Sequence, residues 1–271
     1  MAETPARRTA RYGWVPDLPD QRDQLYAARP QTLRALPPKV DLRDDCPKTV
    51  YDQGRIGSCT ANAIAAAYEF DLLKQGSIDM MPSRLFIYYG ERAIEGSVHS
   101  DSGAQIRDGI KVVNKLGVCS EDEWPYDDTP PDYDGGPFPA GARAGQKPSA
   151  AAYASARHHR AKGYHRVVRA LSQFKACLAD GYPFVLGFTV YESFESDAVA
   201  QTGEMPMPST SEHVLGGHAV LAVGYDDSTQ RFHVRNSWGP GWGDGGYFTM
   251  PYAYLTTPDL SSDFWTIRTV A

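Results

Sequence analysis

Cys59 stands where a chain places a reactive thiol. Gln53 precedes it by six residues, Gly54 and Gly57 lie between them, and an alanine-rich stretch runs from Thr60 to Lys74 behind it. This reads as a loop feeding a helix, with the cysteine at the junction. Unpaired backbone N–H groups and the positive end of the helix dipole favour a thiolate there. The glycines let the loop turn sharply and let another backbone come close. Gln53 can swing its amide beside Cys59, so that the amide and the Cys59 backbone N–H form a two-donor oxyanion hole.

A cysteine nucleophile needs a base, and the chain has seven histidines. His218 follows Gly216-Gly217 and opens the apolar run His-Ala-Val-Leu-Ala-Val-Gly-Tyr, which places it at a strand start, exposed at an edge. His213 competes from a loop rich in Pro, Ser and Glu. A base is oriented by a third group on its far nitrogen. Asn236 lies eighteen residues after His218, and a hairpin between them would bring the two together. The other two asparagines, Asn62 and Asn114, fall in expected helices. Singly, each residue has a plain structural alternative: a buried cysteine, a core histidine, a turn asparagine. Their joint order favours chemistry.

The elements that must hold this set follow from pattern. Small and apolar residues Ala63, Ala66, Ala67, Phe70 and Leu73 recur at helical spacing after Cys59, and Gly76 ends the run. A second helix starts at Pro82-Ser83 and carries Leu85, Phe86, Tyr88 and Tyr89. A third covers Gln105 to Leu116, with Ile106, Ile110 and Val113 on one face and Gly117 as its stop. Residues 127–148 are turn-rich, and a polar helix is expected from Ala150 to Lys162, with His158-His159 on a solvated basic face. The remainder alternates as strands over 164–169, 184–191, 218–225, 231–236, 246–250 and 264–269, with a helix from Leu171 to Asp180 and a turn at Asp226-Asp227-Ser228. Helices followed by strands make an α+β fold of two lobes, and a cleft between lobes is a usual place for a site.

Composition sets outer limits. The net charge of −6 over 271 residues argues against nucleic-acid binding. No apolar run reaches the roughly 18 residues of a membrane span. No standard secretory signal is visible in Met1–Arg8, so the expected location is the cytoplasm, or outside the cell by a signal-independent route. Cys46, Cys119 and Cys177 fit no zinc spacing, and a Cys46–Cys119 bridge stays open. No metal or cofactor is expected.

Three motifs in this order resemble the papain family of cysteine peptidases: Gln53-Gly-Arg-Ile-Gly-Ser-Cys59, Gly217-His218-Ala-Val-Leu-Ala-Val-Gly-Tyr225 and Asn236-Ser-Trp-Gly-Pro-Gly-Trp-Gly-Asp-Gly-Gly-Tyr247. Lys39-Val-Asp-Leu-Arg43 resembles the start of that family's mature domain, so the similarity runs over about residues 37–271. The resemblance implies a helical lobe followed by an antiparallel, barrel-like β lobe, with the cleft between them. It implies a cysteine endopeptidase working through a thioester, with Cys59 as nucleophile, His218 as base, Asn236 as orienter and Gln53 in the oxyanion hole. It further implies that Trp238 shields the Asn–His bond, that Ser102-Gly103 pairs with substrate backbone, and that Ala219 borders the pocket for the second residue upstream of the scissile bond. Cys59 and His218 would then form an ion pair. A peptide ligase or acyltransferase on the same scaffold, and a silent binding protein, are the alternatives.

The departures matter too. The family signature usually has a cysteine three before the nucleophile and an aromatic directly after it. Here those positions are Ile56 and Thr60. Residues 1–36 form an arm much shorter than a family prosegment, ahead of a helical lobe (37–126), a connector (127–162) and a β-rich lobe (163–271). The arm's run Tyr12 to Asp23 resembles one found before the catalytic domain in a bacterial subgroup of the family. With Trp14, Leu18 and Tyr26 as anchors, residues 11–26 are expected to lie over the cleft. The expected partners are a peptide or protein substrate and this arm, in a monomer.

Overall fold

The structure is a computed structural model that describes residues 12–133 and 135–270. The first eleven residues of the expected arm lie outside the described residues, as does the Met1–Arg8 stretch read for a signal. In chain order the elements are β1 (Leu25–Tyr26), α1 (Pro30–Arg34), β2 (Lys39–Asp41), α2 (Cys59–Lys74), α3 (Arg84–Glu95), α4 (Ile106–Lys115), α5 (Ala150–Ala156), β3 (Ala161–Val167), α6 (Leu171–Ala179) and β4 (Phe184–Tyr191). Then come α7 (Asp197–Thr202), β5 (Val214–Asp226), β6 (Arg231–Arg235), β7 (Tyr247–Pro251), α8 (Tyr252–Thr256) and β8 (Ser261–Val270). The helices α2, α3 and α4 thus precede the main strands, and the α+β, two-lobed expectation holds. No helix among the described residues is long and apolar enough to cross a membrane.

The strands form one sheet in the order β1-β3-β8-β4-β5-β6-β7, with β2 paired to β5. All pairings are antiparallel except β1 with β3. Two strands of this sheet, β1 and β2, lie ahead of the nucleophile, so the chain's start is woven into the second lobe. Apolar alternation is too short to read in either, and their pairing is set by partners distant in sequence.

α2 departs from the expected one-faced pattern. Every residue from Cys59 to Leu72 is buried, and Leu73 is only half-buried. The helix packs against α3 and α4 on one side and against β5, β8 and β4 on the other. A helix covered all round needs no apolar stripe, and its alanines allow those neighbours close approach. The other two helices match their patterns. Ser83 caps α3 by accepting from the Phe86 N–H at 3.2 Å, and Ile106, Ile110 and Val113 of α4 are fully buried.

Arg92 of α3 ties the loops beside the cleft to this lobe. Wholly buried, it donates to the carbonyls of Tyr88, Val98 and Ser100, each at 3.1 Å, and to that of Ala144, with its guanidinium 3.9 Å from the Tyr88 ring centre. Arg92→Ala strips these carbonyls of their donor in a place water does not reach. The expected loss is about 3 kcal/mol or more of unfolding free energy. A urea midpoint within experimental error of the parent's would contradict it.

Several boundaries differ from the sequence reading. α5 ends at Ala156 rather than Lys162. His158 and His159 occupy the turn behind it, where the His159 carbonyl accepts from Val118 N–H at 2.9 Å. Residues from Ala161 leave the helix because β3 pairs there with β8. The stretch between β4 and β5 carries α7, a helix absent from the sequence reading. The Cys46–Cys119 bridge is absent: all four cysteines are free and buried. Cys46 lies beside Arg235 and Tyr247, and Cys119 beside Ser83 and Glu123. The two thiols belong to different neighbourhoods.

Candidate active site

Cys59 is the first residue of α2, as expected, and is completely buried. His218 is not at a strand start. β5 begins at Val214, so His218 lies within the strand and is completely buried as well. The hairpin of β5 and β6 carries the chain back to Asn236, immediately after β6. Asn236 Oδ1 meets His218 Nε2 at 2.8 Å and also accepts from the Ser237 N–H at 2.8 Å. This bond assigns the proton to Nε2 and leaves Nδ1 as the free base nitrogen. Nδ1 is buried without a hydrogen-bond partner among the described residues. The backbone N–H of Ala219, next to His218, points at the Cys59 sulfur.

Gln53 reaches this centre by a stitch between segments. Gln53 N–H donates to the Ser237 carbonyl at 2.8 Å, and Gly239 N–H to the Tyr51 carbonyl at 2.9 Å. The Gln53 side chain is completely buried. Its Oε1 accepts from Ser237 Oγ at 2.8 Å, and its Nε2 donates to the Ile56 carbonyl at 3.1 Å. One hydrogen of the amide N–H₂ is therefore committed, and the second remains available. Ser237 orients the glutamine and also bonds Asn236. Sequence reasoning passed over it, although its place directly after Asn236 was visible.

Trp238 stacks on His218 with ring centres 5.1 Å apart at 30°. Phe194 and Trp242 pack behind it, at 5.4 and 5.1 Å. This apolar wall keeps water from the Asn236–His218 bond. Thr60, in the place of the family's aromatic, donates to Glu91 Oε2 at 2.9 Å. Glu91 is fully buried, and burial holds its carboxyl well above the usual carboxylate range.

The arm covers all of this. The Gly13 backbone N–H points at the Cys59 sulfur. Trp14 N–H donates to the Gly217 carbonyl at 2.8 Å, Ala104 N–H to the Gly13 carbonyl at 2.7 Å, and Val15 N–H to the Ala104 carbonyl at 3.0 Å. The arm is thus an extended segment bonded along both walls of the groove. A side chain at position 13 would put its Cβ 1.7 Å from the Gly57 carbonyl oxygen, so only glycine passes over the nucleophile. Tyr12 packs edge-on to His218 at 5.8 Å and bonds Glu195 through its hydroxyl. Of the expected anchors, Trp14 and Tyr26 are buried, but the Leu18 side chain is 70% exposed and Leu18 holds only through its backbone, whose N–H donates to Gln105 Oε1 at 3.1 Å and whose carbonyl accepts from Arg107. Its place is taken by charge: Asp23 pairs with Arg107 at 2.7 Å and with Arg166 at 2.9 Å. Asp17 accepts from Trp265 Nε1 at 2.9 Å.

Under this cover the expected ion pair is not the state present. Burial pushes the Cys59 thiol up to about 12, against smaller opposing effects of the N–H groups of Ala219 and Gly13. Burial also pushes His218 down to about 4. At neutral pH both are uncharged, because loss of water outweighs the helix dipole. Ser102-Gly103, expected to pair with substrate backbone, flanks the arm: a Cβ added at Gly103 would come within 2.3 Å of the Gly13 carbonyl oxygen. Gly103 N–H donates to the Tyr88 hydroxyl at 3.2 Å and Ser102 Oγ to the Gly103 carbonyl at 3.0 Å, and it is Ala104 that pairs with the arm. Ala219 is buried, with its N–H toward the Cys59 sulfur.

The family described as papain family cysteine protease matches residues 36–257. An uncharacterised peptidase C1-like protein of Acanthamoeba polyphaga mimivirus is 42% identical over 96% of this chain and 87% of its own. A cathepsin B-like protein of Giardia intestinalis is 28% identical over 79% of this chain and 69% of its own. Among solved structures, xylellain, a cysteine protease of Xylella fastidiosa, is 51% identical with a TM-score of 0.92 over 98% of each chain. The procathepsin B of Trypanosoma congolense, at 18% identity and a TM-score of 0.71 over 97% of this chain and 87% of its own, shares the fold.

Proposed function

The chain belongs to the papain family of cysteine proteases and hydrolyses peptide bonds, and on that premise we propose that Cys59, His218, Asn236 and Gln53 perform the reaction while the N-terminal arm holds the enzyme latent. One observation carries the first half: His218 is bound to Asn236 through Nε2, Nδ1 has no hydrogen-bond partner among the described residues, and the N–H of the next residue, Ala219, meets the Cys59 sulfur. The names of the relatives give no support to the ligase or silent-binding alternatives.

Once the cleft opens, water and substrate replace the arm and the pair can charge. His218 Nδ1 takes the Cys59 proton, and the sulfur attacks the scissile carbonyl. The oxyanion sits between the Cys59 N–H and the free hydrogen of the Gln53 amide. His218 then returns the proton to the departing amine, leaving a thioester. Water, deprotonated by the same nitrogen, cleaves it and releases the acid. Asn236 holds the imidazole in the needed tautomer but exchanges no proton.

Asn236→Ala is therefore expected to lower kcat by about 10- to 100-fold with KM nearly unchanged, since the reacting groups remain. Steady-state kinetics on one fluorogenic peptide read this split. An unaltered kcat, or a change confined to KM, would remove Asn236 from the proposed role.

Latency rests on the arm's backbone pairing and on one further detail. The Gly13 carbonyl oxygen is bonded to Ala104 N–H rather than offered to Gln53. The arm peptide over Cys59 turns its Gly13 N–H toward the sulfur. It blocks the groove without being an obvious substrate.

A further inference from the structure

Thr60 meets two partners at once. Its backbone N–H is directed at the Cys59 sulfur, and its hydroxyl donates to Glu91 Oε2 at 2.9 Å. Thr60 and Glu91 are both completely buried. Glu91 reaches this point from α3, and α4 leaves room for it. A Cβ added at Gly109 would come 2.2 Å from Glu91 Oε1 and 2.3 Å from Ile64 Cδ1. Glycine weakens a helix interior, so its place in α4 marks a close approach. Glu91 Oε1 is buried without a hydrogen-bond partner among the described residues. The charged groups that bear on Glu91 do not neutralise it. Glu95 of α3 and Asp108 of α4 are themselves acids, and Arg92 of α3 gives its donors to the carbonyls of Tyr88, Val98, Ser100 and Ala144. On the α2 side stand Thr60, Ile64 and the Cys59 thiol. A lone carboxylate in such a place is costly, and the acid keeps its proton.

We propose that Glu91 is a positioning residue for the nucleophile: as an uncharged acid it fixes Thr60, and Thr60 aims its N–H at the Cys59 sulfur when that sulfur carries the negative charge. The inference rests on the reading of Cys59 as the nucleophile. Two demands meet at this position. The Thr60 hydroxyl needs a buried acceptor, or the first turn of α2 loses its tie to α3. The acceptor must also carry no charge, because a negative Glu91 would push the Cys59 thiol further up. A carboxyl protonated on Oε1 satisfies both, since Oε2 keeps its lone pairs for Thr60. The family signature has an aromatic ring where Thr60 stands, so in this chain a hydrogen bond to α3 takes over the fixing of that turn.

The test uses the full chain carrying Tyr12→Ala and Trp14→Ala, which removes the arm's two ring anchors over the cleft. In this anchor-free chain the rate of iodoacetamide reaction at Cys59 is followed against pH by mass spectrometry of the Cys59 peptide. The same proteins are assayed for kcat and KM on one fluorogenic peptide. Thr60→Val keeps the side chain's shape and removes the hydroxyl. It is expected to raise the midpoint of the alkylation profile by about 0.5 pH unit or more. It should also lower kcat about 10-fold with KM within about 2-fold of the parent. Glu91→Leu should do the same, and the two together should be no worse than either, because they break one interaction. Thr60→Ser and Glu91→Gln are the rescues. The Gln amide oxygen accepts from Thr60 and carries no charge, so the midpoint returns to the parent's and kcat to within about 3-fold of it. A parent-like midpoint in Thr60→Val would overturn the proposal. So would a midpoint moved by Glu91→Gln: downward, Glu91 was charged; upward, the acid itself is required. Circular dichroism checks the fold of Glu91→Leu, and Thr60→Val with Glu91→Gln decide the matter without it. Failure of the anchor-free chain to cleave any peptide of a mixed library would count against the peptidase reading, while the alkylation profiles still decide the role of Glu91.

Discussion

Cys59→Ala is expected to abolish hydrolysis of peptide substrates and to leave the fold in place. In the proposed mechanism the sulfur forms the thioester, so its removal leaves only the oxyanion donors and whatever binding the groove supplies. Loss of a nucleophile of this kind costs about 10⁴-fold or more in kcat. The substitution removes one atom from a buried helix start, so the expected stability change is about 1 kcal/mol, too little to unfold the chain. His218→Ala should match it, because a thiol without its base at neutral pH is mostly protonated. The two losses should not add, since nucleophile and base act as a unit. The measurement is single-turnover release of a fluorogenic leaving group, with circular dichroism as the check on folding. Turnover within 10-fold of the parent from either variant would remove these residues from the proposed roles.

The second large effect concerns the arm, and it has the opposite sign. Full-length Tyr12→Ala/Trp14→Ala should cleave a small peptide about 10- to 100-fold faster than the parent. Trp14 is 9% exposed and Tyr12 6% exposed, and both rings are buried against the site rather than within a core of their own. Truncating a buried tryptophan costs about 3 kcal/mol or more. Here that cost falls on the docked arm alone, and 3 kcal/mol moves an open–closed equilibrium by about 100-fold. Point changes are a cleaner test than deleting residues 1–36. Deletion would also remove β1 and α1 and strip Arg107 and Arg166 of Asp23.

Chemical modification gives an independent reading of the same equilibrium. With its thiol held near 12, covered Cys59 is thiolate on the order of one part in 10⁴ at pH 8. Iodoacetamide should therefore react slowly with the parent and much faster with the anchor-free chain, in step with the gain in hydrolysis. A folded double variant with parent-like rates in both assays would sink the latency proposal.

Much of this was legible in the chain itself. Gln53, Cys59, His218 and Asn236 were identifiable because chemistry restricts them to few residue types, and because local signals mark their surroundings. A glycine-flanked loop precedes a helix start, an apolar strand carries the histidine, and a hairpin distance separates it from the asparagine. The helices of the first lobe were readable for the same reason, since capping, periodicity and glycine stops act over a few residues. Burial was not readable. His218 looked like an exposed strand start because Gly216-Gly217 resembled a turn, whereas those glycines lie inside β5, where Tyr12 and Trp14 press against them. Ser237, Ala104 and Glu91 gain their parts through partners far along the chain: Gln53 for the first, the arm for the second, Thr60 for the third.

The order and identity of the proposed reacting groups were determined by the sequence alone, because covalent chemistry and short-range helix and strand rules leave few ways to supply them. The charge state of those groups, the occupant of the groove and the acid that meets Thr60 were decided only by the tertiary structure. Each depends on which surfaces lose water when distant segments meet. That is why a cysteine at a helix start, expected as a thiolate, lies as a neutral thiol beneath Gly13.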